Sequence, residues 1–512
     1  MNDSNSSPMP ISRQIRYQKQ CRDNWKEKAL QKQQKIREYV QLTRSLKKSR
    51  DNWKTRAKQA EQRVKDLEQQ LANLSSSDSD SDLDNQDLSD RIAHHHYSLS
   101  TISLTVQQII TVGHSYRGVA KTMGLLSPKF SLDSPHYSSI KSWVERIGLY
   151  ELQRPKEKRD DWIYLIDLTL ELGNSKALVI YGIPHTFWLT QILPKKRALK
   201  HTDGQILALE VTTSATSDWI HSVLESVSQQ VGTPLQIISD HASNLRKAIQ
   251  LFQAHHCHVI STYDVTHAMA NLLKKQLFKD DIFQNFLSDC HHCRLQVQQT
   301  ELAFASPPPQ RTQCRFFNLD PLLRWANSVI RYSLSFFSPL IPNLHQLKLL
   351  NRFFDKFTWV FSYHKLIRFW TYLIQLTRTL EKQLKIHGLN SSSISLFQQR
   401  LSSLQLPTFL HPFKQQLLTY LHNEVSLVSD HTLLPTTDVL ESLFGRYKYF
   451  SQRSPLKELR SLLLTIPLST VNFTNQYITD ALTTIRADDL SQWVHHTFGQ
   501  SMLSKRQAFF ST

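Results

Sequence analysis

Ile163-Tyr-Leu-Ile-Asp-Leu-Thr-Leu170 is a run of strand-forming residues with one carboxylate, Asp167, at its middle. Apolar side chains on consecutive positions suit a strand covered on both faces, as in the inner strands of open α/β sheets. A carboxylate there costs free energy unless it is paired or holds a cation. The alternative is an edge position with the side chain in water. Working outward, Trp162–Leu172 is predicted as a first strand and Lys176–Gly182 as a second. Either Phe187–Leu193 or Ile206–Thr212 supplies a third. Asp218–Val231 reads as a helix, Leu235–Ser239 as a buried strand, Ser243–Ala254 as a helix and Val259–Tyr263 as a last strand. No glycine-rich turn follows any of these strands, which excludes a dinucleotide-binding arrangement.

The order β-β-β-α-β-α-β is that of an RNase H-like sheet. There the first strand is central and the fourth lies beside it. Asp167 and Asp240, in Leu235-Gln-Ile-Ile-Ser-Asp-His241, are therefore expected to meet. Asp240 is equally placed to N-cap the helix at Ser243–Ala254, a role compatible with metal binding. A third acid is Glu441, in Thr437-Asp-Val-Leu-Glu-Ser-Leu-Phe-Gly445. A helical glutamate is usually just solvated, but Leu440, Leu443 and Phe444 make this helix apolar on one side, so Glu441 is expected beside a packed surface. Thr436 or Thr437 is the expected N-cap. Three carboxylates at one point can hold two divalent cations about 4 Å apart, which activate an attacking oxygen and stabilise a leaving one.

Lys448 falls two turns after Glu441 on the same helical face, where it could hold a phosphate, with Arg446 and Tyr447 assisting. A solvated basic helix end fits those residues equally well. Asp264 and His267 follow the last strand. They read either as an extra carboxylate and a phosphate contact near the site or, for Asp264, as the cap of the next helix.

The chain has 512 residues and a formal net charge of +18, so it has room for several domains and favours a polyanionic partner over a neutral one. No apolar run is long enough to span a bilayer, no lipidation motif is present and the N-terminus is polar and basic, so no membrane role is expected. The cysteine count is five, an odd number in a long chain, which argues against a disulfide framework and for a reducing, cytoplasmic setting.

Residues 1–74 read as a basic coiled coil. Arg22-Asp-Asn-Trp-Lys26 recurs four heptads later as Arg50-Asp-Asn-Trp-Lys54, and Trp53, Ala57, Ala60, Val64, Leu67, Leu71 and Leu74 keep a heptad spacing. Arg22, Lys32, Thr43 and Arg50 interrupt the seam. Such a helix either dimerises and grips a nucleic-acid backbone or is simply solvated. Residues 75–98 hold an acidic, serine-rich linker expected to be disordered. Residues 99–155 read as a helix-turn-helix module: a helix over Leu104–Thr111, a short one from Ser115 that ends at Gly124, and a third over Tyr137–Ile147. Ser138, Ser139, Lys141 and Arg146 are its candidate DNA contacts, although a generic three-helix bundle shows the same pattern.

Residues 156–264 form the first part of the sheet domain, 265–430 a helical insertion, 431–465 the second part carrying Glu441, and 466–512 a helical tail. Trp325, Phe336, Phe337, Trp359 and Trp370 in the insertion could stack on flipped bases, although helix core is the commoner use. Cys290-His-His-Cys293 and His255-His-Cys-His258 together could hold a structural zinc, but no second C-x2-C pair supports it.

The three acids, in strand, strand-end and helix contexts, resemble those of the DDE transposases of bacterial insertion sequences. Ile238-Ser-Asp-His-Ala-Ser-Asn-Leu-Arg-Lys-Ala-Ile249 and Asp438-Val-Leu-Glu-Ser-Leu-Phe-Gly-Arg-Tyr-Lys448 carry the likeness most plainly, and it spans about 161–465. The resemblance implies an α/β RNase H-like catalytic domain with a large α-helical insertion, with Asp167, Asp240 and Glu441 as the metal-binding triad. It further implies two Mg²⁺ ions, with Mn²⁺ as a substitute, that support cleavage of transposon ends by water and joining of the freed 3′-hydroxyls to target DNA. The implied partners are terminal-repeat and target DNA, held by a homodimer or a higher synaptic oligomer. One subgroup carries Tyr-x2-Arg-x3-Glu-x6-Lys; Glu441 and Lys448 fit its last two positions, while Leu434 and Thr437 stand at the first two. Two other readings compete: a DNA-binding regulator derived from an inactive enzyme, and a nuclease that cuts without joining. All three acids are present, where an Asn would have favoured the regulator.

Overall fold

The computed structural model describes residues 91–511 except 131, 173–174, 310–318, 336–343, 403–405, 429 and 452–458, with a few isolated positions nearer the N-terminus. Contacts divide the chain into two units, Met1–Ser89 and Asp90–Thr512. In the first unit the described positions, Arg22, Thr43 and Asp51 among them, are helical and exposed. The rest of the expected coiled coil and residues 75–90 of the linker lie outside the described residues.

The second unit begins with helices α1 (Leu99–Gln107), α2 (Tyr116–Phe130) and α3 (Tyr137–Gln153). It continues through β1 (Trp162–Leu172), β2 (Ser175–Pro184), β3 (Gln205–Thr212), α4 (Ser217–Val231), β4 (Gln236–Ser239), α5 (Ser243–His255) and β5 (Ile260–Tyr263). The third strand is thus the later of the two candidates, and 185–192 is wound into short helical turns. The sheet is mixed, in the order β3-β2-β1-β4-β5, with β1–β2 and β2–β3 antiparallel and β1–β4 and β4–β5 parallel. This order is consistent with an RNase H-like domain. Strand β1 is central and buried on both faces. Ile163 and Leu165 join one core, while Tyr164 and Ile166 join another with Leu224 and Val227 of α4 and Leu245 and Phe252 of α5. Gly232 ends α4 with φ 100°, where an added Cβ would lie 2.0 Å from the Arg159 carbonyl oxygen. Only glycine fits that close backbone approach.

Helices α6 (Val265–Leu277), α7 (Asp281–Val297), α8 (Leu319–Ser335), α9 (Leu344–Phe357), α10 (His364–His387), α11 (Ser393–Ser402) and α12 (His411–Val425) follow. They share one core that includes Leu273, Phe286, Trp370, Phe397 and Leu417. The chain then returns to the sheet as α13 (Asp438–Ser451). Helices α14 (Asn475–Thr484), α15 (Ala487–Phe498) and α16 (Met502–Phe510) complete it.

The N-terminal helices depart from the expected module. Helix α1 begins at Leu99 and runs into a π-helical turn at 108–112. Helix α2 passes through Gly124 and continues to Phe130, so Gly124 is no terminator. Helix α3 extends to Gln153 and is buried over most of 143–149. Its core includes Ile478, Ala481 and Leu482 of α14 and Phe450 of α13. The tail therefore completes this core, and 99–155 packs within the second unit.

Candidate active site

Alternation along β1 decides where Asp167 points. Ile163 and Leu165 pack in the core that holds Leu440, Leu443, Phe444 and Tyr447 of α13, so Asp167, two residues on, takes the α13 side. It is 4% exposed, and the pairing of β1 with β2 shifts register between Asp167 and Leu170, a bulge of the kind that re-aims side chains. The edge reading of this carboxylate is thereby excluded.

Strand β4 supplies Asp240. The parallel register pairs Ile163 with Gln236, Tyr164 with Ile237 and Leu165 with Ile238. The pairing ends two residues short of both acids, and Asp240 follows Ser239, the last residue of β4. Ile238, two residues earlier, shares the α13-side core. Asp240 Oδ1 accepts from the Ala242 N–H at 2.9 Å, a local turn; Ala242, not Asp240, is the residue at the N-cap of α5. His241 holds φ 55° and stacks on Tyr263, ring centroids 4.5 Å apart.

Glu441 is placed by the start of α13, and Asp264 holds that start. Asp264 is wholly buried; its Oδ1 accepts from His267 N–H at 2.8 Å, capping α6 as one sequence reading had it. Its Oδ2 accepts from Thr437 N–H and from Thr437 Oγ1, both at 2.6 Å. One carboxylate thus ties the end of β5 to the first turn of α13. Thr436 Oγ1 accepts from Asp438 N–H at 3.3 Å, as expected of a residue there. Gln236, fully buried on β4, exchanges hydrogen bonds with the backbone of Leu434, accepting at 3.1 Å and donating at 2.8 Å.

The helical insertion grips the same turn. Lys385 on α10 pairs with Asp438 and, at 2.6 Å, with Glu381, which is itself bound by Arg378 at 2.8 Å. Burial alone would lower the Lys385 ammonium, but Asp438 and Glu381 outweigh it and hold it above its ordinary value. Glu441 follows on α13 with its side chain 37% exposed, and His267 Nε2 lies 3.8 Å from Glu441 Oε1.

Asp167 on β1, Asp240 just past β4 and Glu441 on α13 are the three candidate acids. The carboxylate oxygens are not drawn into one tight cluster. Among the described residues, the group of three ligand side chains whose atoms all lie within 4.8 Å of one another is His221, Glu225 and His255. Like charges repel, so three carboxylates close only around a cation. An all-oxygen donor set of this kind suits Mg²⁺ or Mn²⁺.

The basic candidates have separate fates. Lys448 is exposed on α13. Arg446 is half-buried and donates to the Ile110 carbonyl at 2.9 Å. Arg146 donates to the carbonyls of Ile485 and Leu482 at 2.6 and 2.5 Å, so it fastens α14 to α3. Both spend donors on backbone that the sequence had left for DNA. Lys141 lies 3.7 Å from Glu145, its side chain half exposed near the start of α3.

Sequence reasoning missed Lys200 and His201. They line a cleft of about 360 Å³ with Arg446, and His201 Nε2 is 2.9 Å from Ser442 Oγ, next to Glu441. The basic run Lys195-Lys-Arg-Ala-Leu-Lys-His201 was the available signal. Trp370 is fully buried and Trp359 half-buried in the insertion core, so both are structural; Phe336 and Phe337 lie outside the described residues. Trp325 packs on that core and donates to the Ala305 carbonyl at 2.8 Å. Cys290 and Cys293 are buried there too, away from His255–His258, and burial raises both thiols. The zinc site built from those two motifs does not form.

No protein-family model and no curated protein sequence matches the chain. Among solved structures it is similar to the Drosophila P element transposase strand transfer complex, with 12% identity and a TM-score of 0.33 over 83% of this chain and 100% of that one. No helix among the described residues is long and apolar enough to cross a membrane.

Proposed function

We propose that the chain is a metal-dependent enzyme of DNA strand cleavage and joining, a transposase. The observation that supports this reading is the parallel pairing of β1, which carries Asp167, with β4, which Asp240 follows, while Ile163, Leu165 and Ile238 share a core with the α13 residues that flank Glu441. Two Mg²⁺ ions, or Mn²⁺ in their place, bound by those carboxylates would supply charge neutralisation at a phosphodiester and activation of the attacking oxygen. The chain's own part is positional. Asp264, Gln236 and Lys385 hold the end of β5, the start of β4 and the start of α13 in one frame. His267 stands between Asp264 and Glu441, at 3.7 and 3.8 Å, and orients the glutamate.

Lys448, Lys141, Lys200 and His201 are the candidate DNA contacts, consistent with the net charge of +18. Water attack on a strand end frees a 3′-hydroxyl, and that hydroxyl attacks a target phosphodiester. Two ends must be handled together, so the working species is at least a dimer. The resemblance to bacterial insertion-sequence enzymes rests on the two quoted segments.

The test is Mg²⁺-dependent nicking and strand transfer on DNA carrying the element's inverted ends. The wild-type chain is expected to produce both products, and Asp167→Asn and Glu441→Gln to lose at least about a hundredfold in rate. Nicking without transfer selects a plain nuclease. Equal rates in wild type and variants refute the mechanism.

A further inference from the structure

We propose a second, separate metal site, a zinc-class site formed by His221, Glu225 and His255. It lies on the layer of α4 and α5, across the sheet from α13. His221 and Glu225 are one turn apart on α4 and share a face, and His255 is the last residue of α5. His221 Nε2 and His255 Nδ1 each lie 3.3 Å from Glu225 Oε1. Two donors on one tetrahedral ion with bonds of about 2.0–2.1 Å sit about 3.3–3.4 Å apart, so both spacings match an edge of that polyhedron.

A second observation points the same way. His221 Nε2 is buried and has no hydrogen-bond partner, although the carboxylate is within ion-pair distance. His255 Nδ1 is hydrogen-bonded to Glu225 Oε1, a place where a cation would take over from the proton. His256 Nε2 takes the other carboxylate oxygen, Glu225 Oε2, at 3.1 Å. That contact orients the ligand, the usual part of an outer-shell partner. Two imidazoles and a carboxylate, with a fourth position left to water, make a common set for Zn²⁺ and a poor one for Mg²⁺. The ion clips α4 to the end of α5, just before the turn into β5. It belongs to scaffold stability and is independent of the triad.

Chelator-treated full-length protein is titrated with Zn²⁺ against a chromogenic chelator of known affinity. Wild type is expected to hold one tight equivalent more than His255→Ala, a variant whose side chain is 66% exposed and whose fold is safe. Glu225→Gln should bind at least about tenfold more weakly. Zn²⁺ should raise the unfolding midpoint of wild type and of the control His292→Ala but not that of His255→Ala. X-ray absorption should show nitrogen and oxygen at about 2.0–2.1 Å and no sulfur. Equal stoichiometry and affinity in wild type and His255→Ala overturn the site, as does a sulfur shell.

Discussion

Asp264 has no chemistry of its own in this account, yet the position of Glu441 depends on it. Its carboxylate is fully buried and accepts from Thr437 N–H, Thr437 Oγ1 and His267 N–H. Asp264→Ala leaves those donors without an acceptor, at a cost of about 3–5 kcal/mol, readable as a lower urea midpoint. Strand cleavage should fall with it, because the first turn of α13 is released. A second residue gives a pH signature. Burial pushes Glu424 up to about 7, against the smaller effect of the Tyr263 N–H that donates to it at 3.0 Å. The folded state therefore keeps a proton that the unfolded chain, with its ordinary value of 4.5, has released. Stability is full below the lower value and declines as pH rises through the window to about 7, by about 3 kcal/mol in all. Unfolding free energies across pH 4 to 8 should show that decline in wild type and a flatter profile in Glu424→Gln.

At the scale of elements, much of the sheet domain was legible. The apolar run of β1, the short buried β4 and the helices between carry periodicities that hardly overlap, so their bounds agree with the structure to within a few residues. Asp167 and Asp240 stand out as candidates because a carboxylate in or just past an apolar strand is conspicuous. What holds Glu441 was not legible. Gln236 reaches Leu434 and Lys385 reaches Asp438 across long stretches of chain, and no local pattern announces such pairs. Arg146 and Arg446 looked like free cations for the same reason: the carbonyls they bind lie more than three hundred residues away in sequence. Helix α3 was misjudged because its burial comes from α14 and the segment at Leu464. Gly148 records that contact, since an added Cβ would sit 2.4 Å from the Leu464 carbonyl oxygen. Gly148→Ala is expected to destabilise by about 2 kcal/mol or more, seen as a lower thermal midpoint, because backbone and not a flexible side chain blocks the methyl.

At the scale of the molecule, Asp90–Thr512 is one unit in which three regions of sequence converge on α13. The sheet packs Ile163, Leu165 and Ile238 against it, the insertion clamps the helix start through Lys385, and the N-terminal helices receive Phe450 from its far end. The insertion is part of the frame of the proposed site, and a separate cleft at Lys200, His201 and Arg446 opens against α13. All of this concerns the placement of acids that are to share cations. Mn²⁺ titration of the full chain, followed by electron paramagnetic resonance, reads that sharing directly. The expected result is a spin-coupled pair of Mn²⁺ ions, the signature of a spacing of about 4 Å, that disappears in Asp167→Asn, Asp240→Asn and Glu441→Gln alike. A wild-type chain that binds no coupled pair, or a pair that survives all three substitutions, contradicts it.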